Sequence, residues 1–497
     1  MTGSRLLAAV LVFLLVSGTG TGNGNDWRIS VDAARTVARY NPLIQGNNIN
    51  WVNQGDGLYD PAAGTVKAQA KHRIREMGVK VLRFPGGNLA EYYDWKGGIG
   101  SSAQRQSGLD YERKPQKMEF GIDEFLKLCE SLDIIPVVTV GYANNTPSSA
   151  AELVQYCNGA PSTPMGALRA RNGHPEPYRV GYWEIGNEVY HKGITRDKAA
   201  AYGRKASEMA LAMKRVDPAI KIGAIGLGVS LEWDESMLKE CAGQVDFLIY
   251  HRYLPNTNSS DPSEVNNAVI VAAEKIAREV RRLRETAARF NPALSVAVTE
   301  YNLDFRDSAG NNINKPSDIQ QALFVAECMR LFQLNQVSFA TKWDLAHFSR
   351  HYMSDLHFNR NKEPTLAPSY FAQKLFADAG ISTIVNTTVS SPTVSVSRFG
   401  EIRNENNVPV LTSLAGRDAS GRALSLIVIN RDLNNSYTVN LDIRNFPGAA
   451  RVELLLLKTP PGGVTDRFLL ERSDLKPGDL RSVVIPAGSI SLYRVSS

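Results

Sequence analysis

One feature constrains this fold more than any other. From about residue 44 to 343, short apolar runs alternate with stretches of helical periodicity. The runs are Leu43–Ile44, Val79 with Val81–Leu82, Ile134–Val140, Val180–Ile185, Ile220–Ile225, Val245–Tyr250, Leu294–Val298 and Val337–Thr341. Between two of them, Tyr202, Met209, Met213 and Val216 recur at helical spacing, with Thr195 placed to cap that helix and Pro218 to stop it. Ile276, Val280, Leu283 and Ala287 mark another such stripe, over Ala272–Phe290. Strands that alternate with helices imply a parallel sheet, and eight units imply a closed (β/α)8 TIM barrel.

The pattern changes after a last helix near Tyr370–Ala379. Strand-like runs then follow one another: Thr393–Val396, Leu424–Ile429, Tyr437–Leu441, Val452–Leu457, Ser482–Ile485 and Ser489–Tyr493. Turns at Gly448, Pro460–Gly463 and Pro477–Gly478 separate them, which predicts an antiparallel β-sandwich. Arg28–Val31 also reads as a strand, and its position ahead of the barrel predicts that it joins this sandwich. The N-terminus has the layout of a cleavable signal peptide: Arg5, the apolar run Leu6–Val16, then small residues from Ser17 to Gly22. An uncleaved anchor is the alternative. The expected organisation is a signal peptide over 1–22, an N-terminal strand segment over 23–42, a catalytic barrel over 43–380 and a sandwich over 381–497.

Composition narrows the function. The net charge of +6 is spread along 497 residues, with none of the clustering a nucleic-acid binder shows. No run after the leader is long and apolar enough for a membrane span, so no membrane partner is expected after signal cleavage. The four cysteines (Cys129, Cys157, Cys241, Cys328) lack zinc spacing and read as buried thiols, although export would permit a Cys129–Cys157 disulfide. No cofactor or metal is implied: the histidines form no ligand pair and there is no phosphate-binding glycine loop of the expected form. The oligomeric state stays open.

In a barrel of this kind functional side chains stand at the C-terminal ends of the strands. Two acids stand there, Glu188 in Trp183–Glu188 after the fourth strand and Glu300 in Thr299–Asn302 after the seventh. Strands four and seven face each other across the mouth. A glycosidic bond needs one acid to protonate the leaving oxygen and, with retention, a second carboxylate to attack the anomeric carbon from about 5–5.5 Å away. Glu184 shares the face of Glu188, and reads as its buried hydrogen-bonded neighbour rather than a catalyst.

Further segments complete the set: Arg83-Phe84-Pro85-Gly86-Gly87-Asn88, Tyr93-Asp94-Trp95-Lys96, Gly98-Ile99-Gly100, Gly121–Leu126, Gly173–Tyr178 and His251-Arg252-Tyr253. Together they resemble the retaining clan A glycoside hydrolases, and most closely the family 51 α-L-arabinofuranosidases, over most of the chain. The resemblance implies Glu188 as acid/base, with its pKa raised while sugar is bound, and Glu300 as nucleophile. It implies Arg83 beside Glu300, favouring its charged form, and Tyr253 orienting it by a hydrogen bond. Asn187 would bind the sugar hydroxyl next to the anomeric carbon, Asn88 and His251 would line the pocket, and Trp343 would form an apolar wall. The plainer alternatives are a structural ion pair for Arg83, a satisfied core histidine for His251, core packing for Trp343 and a simple tight turn for Gly86-Gly87.

Two positions depart from the family pattern. Asn50 stands where a sugar-binding Glu is expected, and Asp304 where Trp often follows the nucleophile. The departures put arabinofuranose specificity in question, with Trp51, Tyr92, Tyr93 and Trp95 as candidate stacking surfaces for other sugars. The expected activity is a secreted (extracellular or periplasmic) retaining glycoside hydrolase on plant-type polysaccharides or oligosaccharides, with α-L-arabinofuranosidase first. An endo-β-1,4-glucanase or β-xylosidase on the same scaffold is the rival, and a non-catalytic carbohydrate-binding protein the rival outside the enzymes.

Overall fold

The computed structural model describes residues 27–257, 262–305, 319–348, 353–358, 363–448, 450–460 and 468–496. The signal-peptide segment and the turn at 461–463 lie outside them. Seven parallel strands form one sheet, in the order in which they occur: Gly46–Asn48, Val81–Phe84, Ile135–Val140, Tyr182–Ile185, Lys221–Ile225, Phe247–Thr257 and Ser295–Phe305. Residues 340 and 342 bridge in parallel to Val298 on the seventh strand and Asn47 on the first, closing the barrel with the eighth segment. Lys342 N–H donates to Gly46 O at 2.8 Å and Asn48 N–H to Lys342 O at 2.9 Å. Only glycine fits at 46, because a Cβ there would stand 2.4 Å from Ala340 O.

The apolar runs form strands because both faces of a parallel sheet are covered, here by side chains inside and helices outside. Arg196–Val216 is helical, capped by the Thr195 hydroxyl and ended before Pro218 as its sequence predicts. The helix expected from Ala272 instead spans Pro262–Ala288. Val269 to Ala273 are buried one after another, so that stretch is covered on every side and shows no stripe. The first strand was expected at Leu43–Ile44, which lie in a 3-10 turn; the strand is Gly46–Asn48. Its polar residues are buried by hydrogen bonds, Asn47 to Asp355 at 2.7 Å and Asn48 to Thr299 O at 2.8 Å.

A nine-stranded sheet curls over its own apolar core, which includes Ile29, Val31, Leu426, Val428 and Tyr493. The N-terminal strand Trp27–Arg39 pairs antiparallel with Thr383–Ser390 and parallel with Tyr437–Arg444, so the sandwich is not purely antiparallel. Thr393–Val396 pairs apart from it, with Glu405–Pro409. Buried Arg431 joins the sandwich to the barrel helices: it donates to Ile270 O and Glu274 at 2.5 Å each and lies 3.5 Å from Glu327. All four cysteines are buried free thiols. Among the described residues no helix is long and apolar enough to cross a membrane.

Candidate active site

The site forms where the strands end. After Ile185 the chain turns through Gly186 (φ +80°), and Glu188 itself adopts left-handed backbone (φ +46°). A β-carbon at 186 would lie 2.9 Å from Tyr142 Cβ. Such backbone is costly for a non-glycine residue and persists only where its surroundings hold it. Glu91 supplies that hold. Its Oε1 accepts from Asn187 N–H at 2.7 Å and Tyr142 N–H at 3.1 Å, and its Oε2 from Ala143 N–H at 2.6 Å. Nothing in the sequence singled out Glu91.

Glu300 stands on the seventh strand, paired in register with His251 of the sixth. Its Oε1 accepts from Arg83 Nη1 at 2.9 Å and its Oε2 from Tyr253 Oη at 2.6 Å. His251 lies between the acids, with Nδ1 3.2 Å from Glu188 Oε1 and 3.6 Å from Glu300 Oε1, and Nε2 3.0 Å from Thr299 Oγ1. One ligating atom from each of Glu188, His251 and Glu300 lies within 4.8 Å of the others. At least one oxygen of each carboxylate thus stands within 4.8 Å of the other, a close approach of the kind direct attack requires. Among the described residues the same three groups could hold a cation, although both oxygens of Glu300 already accept hydrogen bonds.

Arg83 is fully buried and organises the floor. It donates to Glu184 at 2.5 Å and to Asn48, Glu300 and Asn187 at 2.9 Å each. It is thus both a structural ion-pair partner and the neighbour of Glu300. Burial opposes its charge, but Glu184 and Glu300 outweigh that and raise its pKa. Glu184 is completely buried against Arg83 and Thr139, as a supporting group. Asn48, which sequence reasoning passed over, ties the first strand to this network.

Burial pushes the Glu188 carboxyl up, but hydrogen bonds from His191 and His251 and their charge outweigh it and hold it well below the usual glutamate range. His191 sits 2.5 Å away and is largely exposed; its bond to Glu188 raises its own pKa. Tyr190 Oη donates to Glu188 at 3.1 Å. Burial, with Glu300 adding to it, pushes the Tyr253 hydroxyl well above its usual value. Asn187 Nδ2 donates to exposed Asn88 at the mouth, at 3.1 Å.

Trp343 is half-buried, and Gly86 and Gly87 make room for it: a β-carbon at 87 would lie 2.5 Å from its ring. Their turn is therefore a close approach to the indole. Asn50 is buried, donating to Asp56 at 2.9 Å and accepting from Tyr111 Oη at 3.2 Å. Trp51, Tyr93 and Trp95 are not stacking surfaces. They turn into the core, at 0%, 5% and 2% exposure, and of the four candidates only Tyr92 is exposed, with Arg113 over its ring.

A parallel eightfold barrel that brings two strand-end carboxylates together has the arrangement that retaining glycoside hydrolysis requires. Residues 73–266 match the family model described as the alpha-L-arabinofuranosidase 1 domain, a stretch that contains Glu188 but not Glu300. A probable alpha-L-arabinofuranosidase C of Aspergillus fumigatus is 32% identical over 222 residues, 43% of this chain and 44% of that protein. An intracellular exo-alpha-(1->5)-L-arabinofuranosidase of Streptomyces lividans is 31% identical over 242 residues, 46% of this chain and 37% of that protein. These matches span less than half of the curated relatives' length. The thermostable GH51 alpha-L-arabinofuranosidase from Thermotoga petrophila superposes with a TM-score of 0.82 at 25% identity, covering 95% of this chain and all of that one. In fold and sequence the chain is similar to the clan A, GH51 proteins.

Proposed function

We propose that this protein is a retaining glycoside hydrolase with α-L-arabinofuranosidase activity. The observation that carries the proposal is the convergence of Glu188 and Glu300, within 4.8 Å, on one site. In the first step Glu300 attacks the anomeric carbon, the bond to the leaving oxygen breaks, and Glu188 gives that oxygen its proton. In the second, Glu188 takes a proton from water, and that water displaces Glu300 from the sugar. Glu188 must carry a proton for the first step. Its low pKa in the free site depends partly on His191, whose exposed ring a leaving group entering the mouth can displace. Burying the carboxyl under the sugar then favours its neutral form.

The relatives' names support arabinofuranose as the sugar. Asn50 is the departure that a substrate panel must judge. 4-Nitrophenyl α-L-arabinofuranoside is expected to be cleaved faster than the β-D-xylopyranoside or β-D-glucopyranoside. Glu300→Ala is expected to lose hydrolysis and to recover turnover with azide, which attacks from the vacated side and yields the glycosyl azide. Absence of hydrolysis on the whole panel would leave a carbohydrate-binding protein as the better reading. Export rests on the sequence from Arg5 to Gly22, and N-terminal sequencing of protein recovered outside the cytoplasm tests it.

A further inference from the structure

A cleft of about 460 Å3 is lined by Asn53, Gln54, Gln116, Lys117, Phe348 and Phe358 among others, none of them a residue of the site around Glu188 and Glu300. That volume suits a small ligand. Its walls come from loops at the C-terminal rim of the barrel. Asn53 and Gln54 follow the first strand; Gln116 and Lys117 belong to a hairpin (Ser107–Leu109 with Pro115–Lys117) after the second; Phe348 follows the eighth.

One wall is built at a cost. Asn53, Gln54, Gly55, Asp56 and Gly57 all have positive φ, forming a left-handed turn that three non-glycine residues share. Each of those three costs roughly 1–2 kcal/mol. The turn is held from both ends. Gln116 exchanges two hydrogen bonds with Asn53, at 2.8 and 3.1 Å, and Asp56 is held by Asn50, which Tyr111 of the same hairpin also reaches. Strain so held points to use. Gln54 lines the cleft with no side-chain hydrogen-bond partner among the described residues.

We propose that this cleft is a second sugar-binding site, taking a neutral sugar unit of the polymer whose terminal sugar occupies the catalytic pocket. The exposed Phe348 ring gives an apolar face to stack on, and the amide of Gln54 offers a donor and an acceptor to hydroxyls. Lys67, Lys117 and Glu119 complete the charged part of the lining, a net of one positive charge, which gives an acidic ligand little to bind and fits a neutral sugar. Tyr111 Oη stands beside Gly87 and the Trp343 ring, 3.0 Å from where a β-carbon at 87 would lie, and Gln116 is five residues on, at most about 18 Å of chain, so one oligosaccharide reaches both.

This inference rests on the proposed function, and the test separates the two. Phe348→Ala is expected to raise KM for linear arabinan or arabinoxylan about three- to tenfold, with kcat/KM for 4-nitrophenyl α-L-arabinofuranoside within twofold of wild type. Gln54→Gly removes the amide and relieves the turn, so it is expected to give the same polymer-selective loss with an unchanged or higher Tm. Unchanged polymer kinetics in both variants, or equal losses on polymer and aryl glycoside, overturn the proposal. If the wild type cleaves no furanoside, the functional reading fails, and the cleft is judged by affinity electrophoresis in gels containing either polysaccharide. Weaker retardation of the variants then supports it, and equal retardation overturns it.

Discussion

Replacing Glu91 by Gln isolates the part of the site that places the acid. The glutamate accepts three backbone N–H bonds, two of them short, from Asn187 and Ala143. Glutamine keeps the shape and one acceptor oxygen. If that oxygen stays with Asn187 and Tyr142, the new NH2 group faces the Ala143 N–H, donor against donor. The change loses one charge-assisted hydrogen bond, worth about 1.5–3 kcal/mol. The loop it holds contains Glu188 in left-handed backbone, so much of that energy is expected to appear as misplacement of the acid. At 1.36 kcal/mol per decade, kcat should fall about 10- to 150-fold, with KM little changed. The loss should be greater for glycosides with poor leaving groups, because those depend on proton donation. Steady-state kinetics on aryl glycosides of graded leaving-group pKa measures this. Activity within threefold of wild type, at every leaving group, would refute the assignment of Glu91 as the residue that positions Glu188.

Other consequences follow from the same network. Glu188→Ala should keep far more activity on 4-nitrophenyl than on unactivated glycosides; a uniform loss would contradict its role as acid. Arg83→Met leaves Glu184 and Glu300 buried without their cation and should cost about 3–5 kcal/mol. Adding Glu184→Met should restore part of that in denaturant unfolding, whereas strictly additive losses would show that the pair is uncoupled. Burial pushes the Asp344 carboxyl up to about 6, despite its bond from Ser354. A carboxyl raised on folding contributes stability that is present below its unfolded value near 3.8 and lost as pH rises through 6. Asp344→Asn should therefore flatten the decline in Tm between pH 4 and 7, and an unaltered profile would assign that decline to other groups.

The barrel was legible because its longer strands are buried on both faces and read as unbroken apolar runs, as at Ile134–Val140. The first strand was not, because Asn47 and Asn48 are buried by hydrogen bonding instead of hydrophobicity. Glu188 and Glu300 stood out because an acid at the end of an apolar strand has few structural uses. Glu91 did not, since it sits in a short 3-10 turn and its partners are backbone amides 51, 52 and 96 residues away. Side-chain direction was also hidden. Trp51, Tyr93 and Trp95 cluster near a sugar-site motif yet pack inward, Trp51 against Tyr93 and Trp95 against Tyr156. The left-handed turn at 53–57 was invisible too, because Gly55 and Gly57 alone read as an ordinary loop.

The most direct test of the whole account is stereochemical. Hydrolysis of 4-nitrophenyl α-L-arabinofuranoside in the presence of methanol, followed by proton NMR, reports which face of the anomeric carbon the acceptor attacks. Two inversions through Glu300 give the methyl α-furanoside. A methyl β-furanoside would mean a single displacement, and Glu300 would then not be the nucleophile.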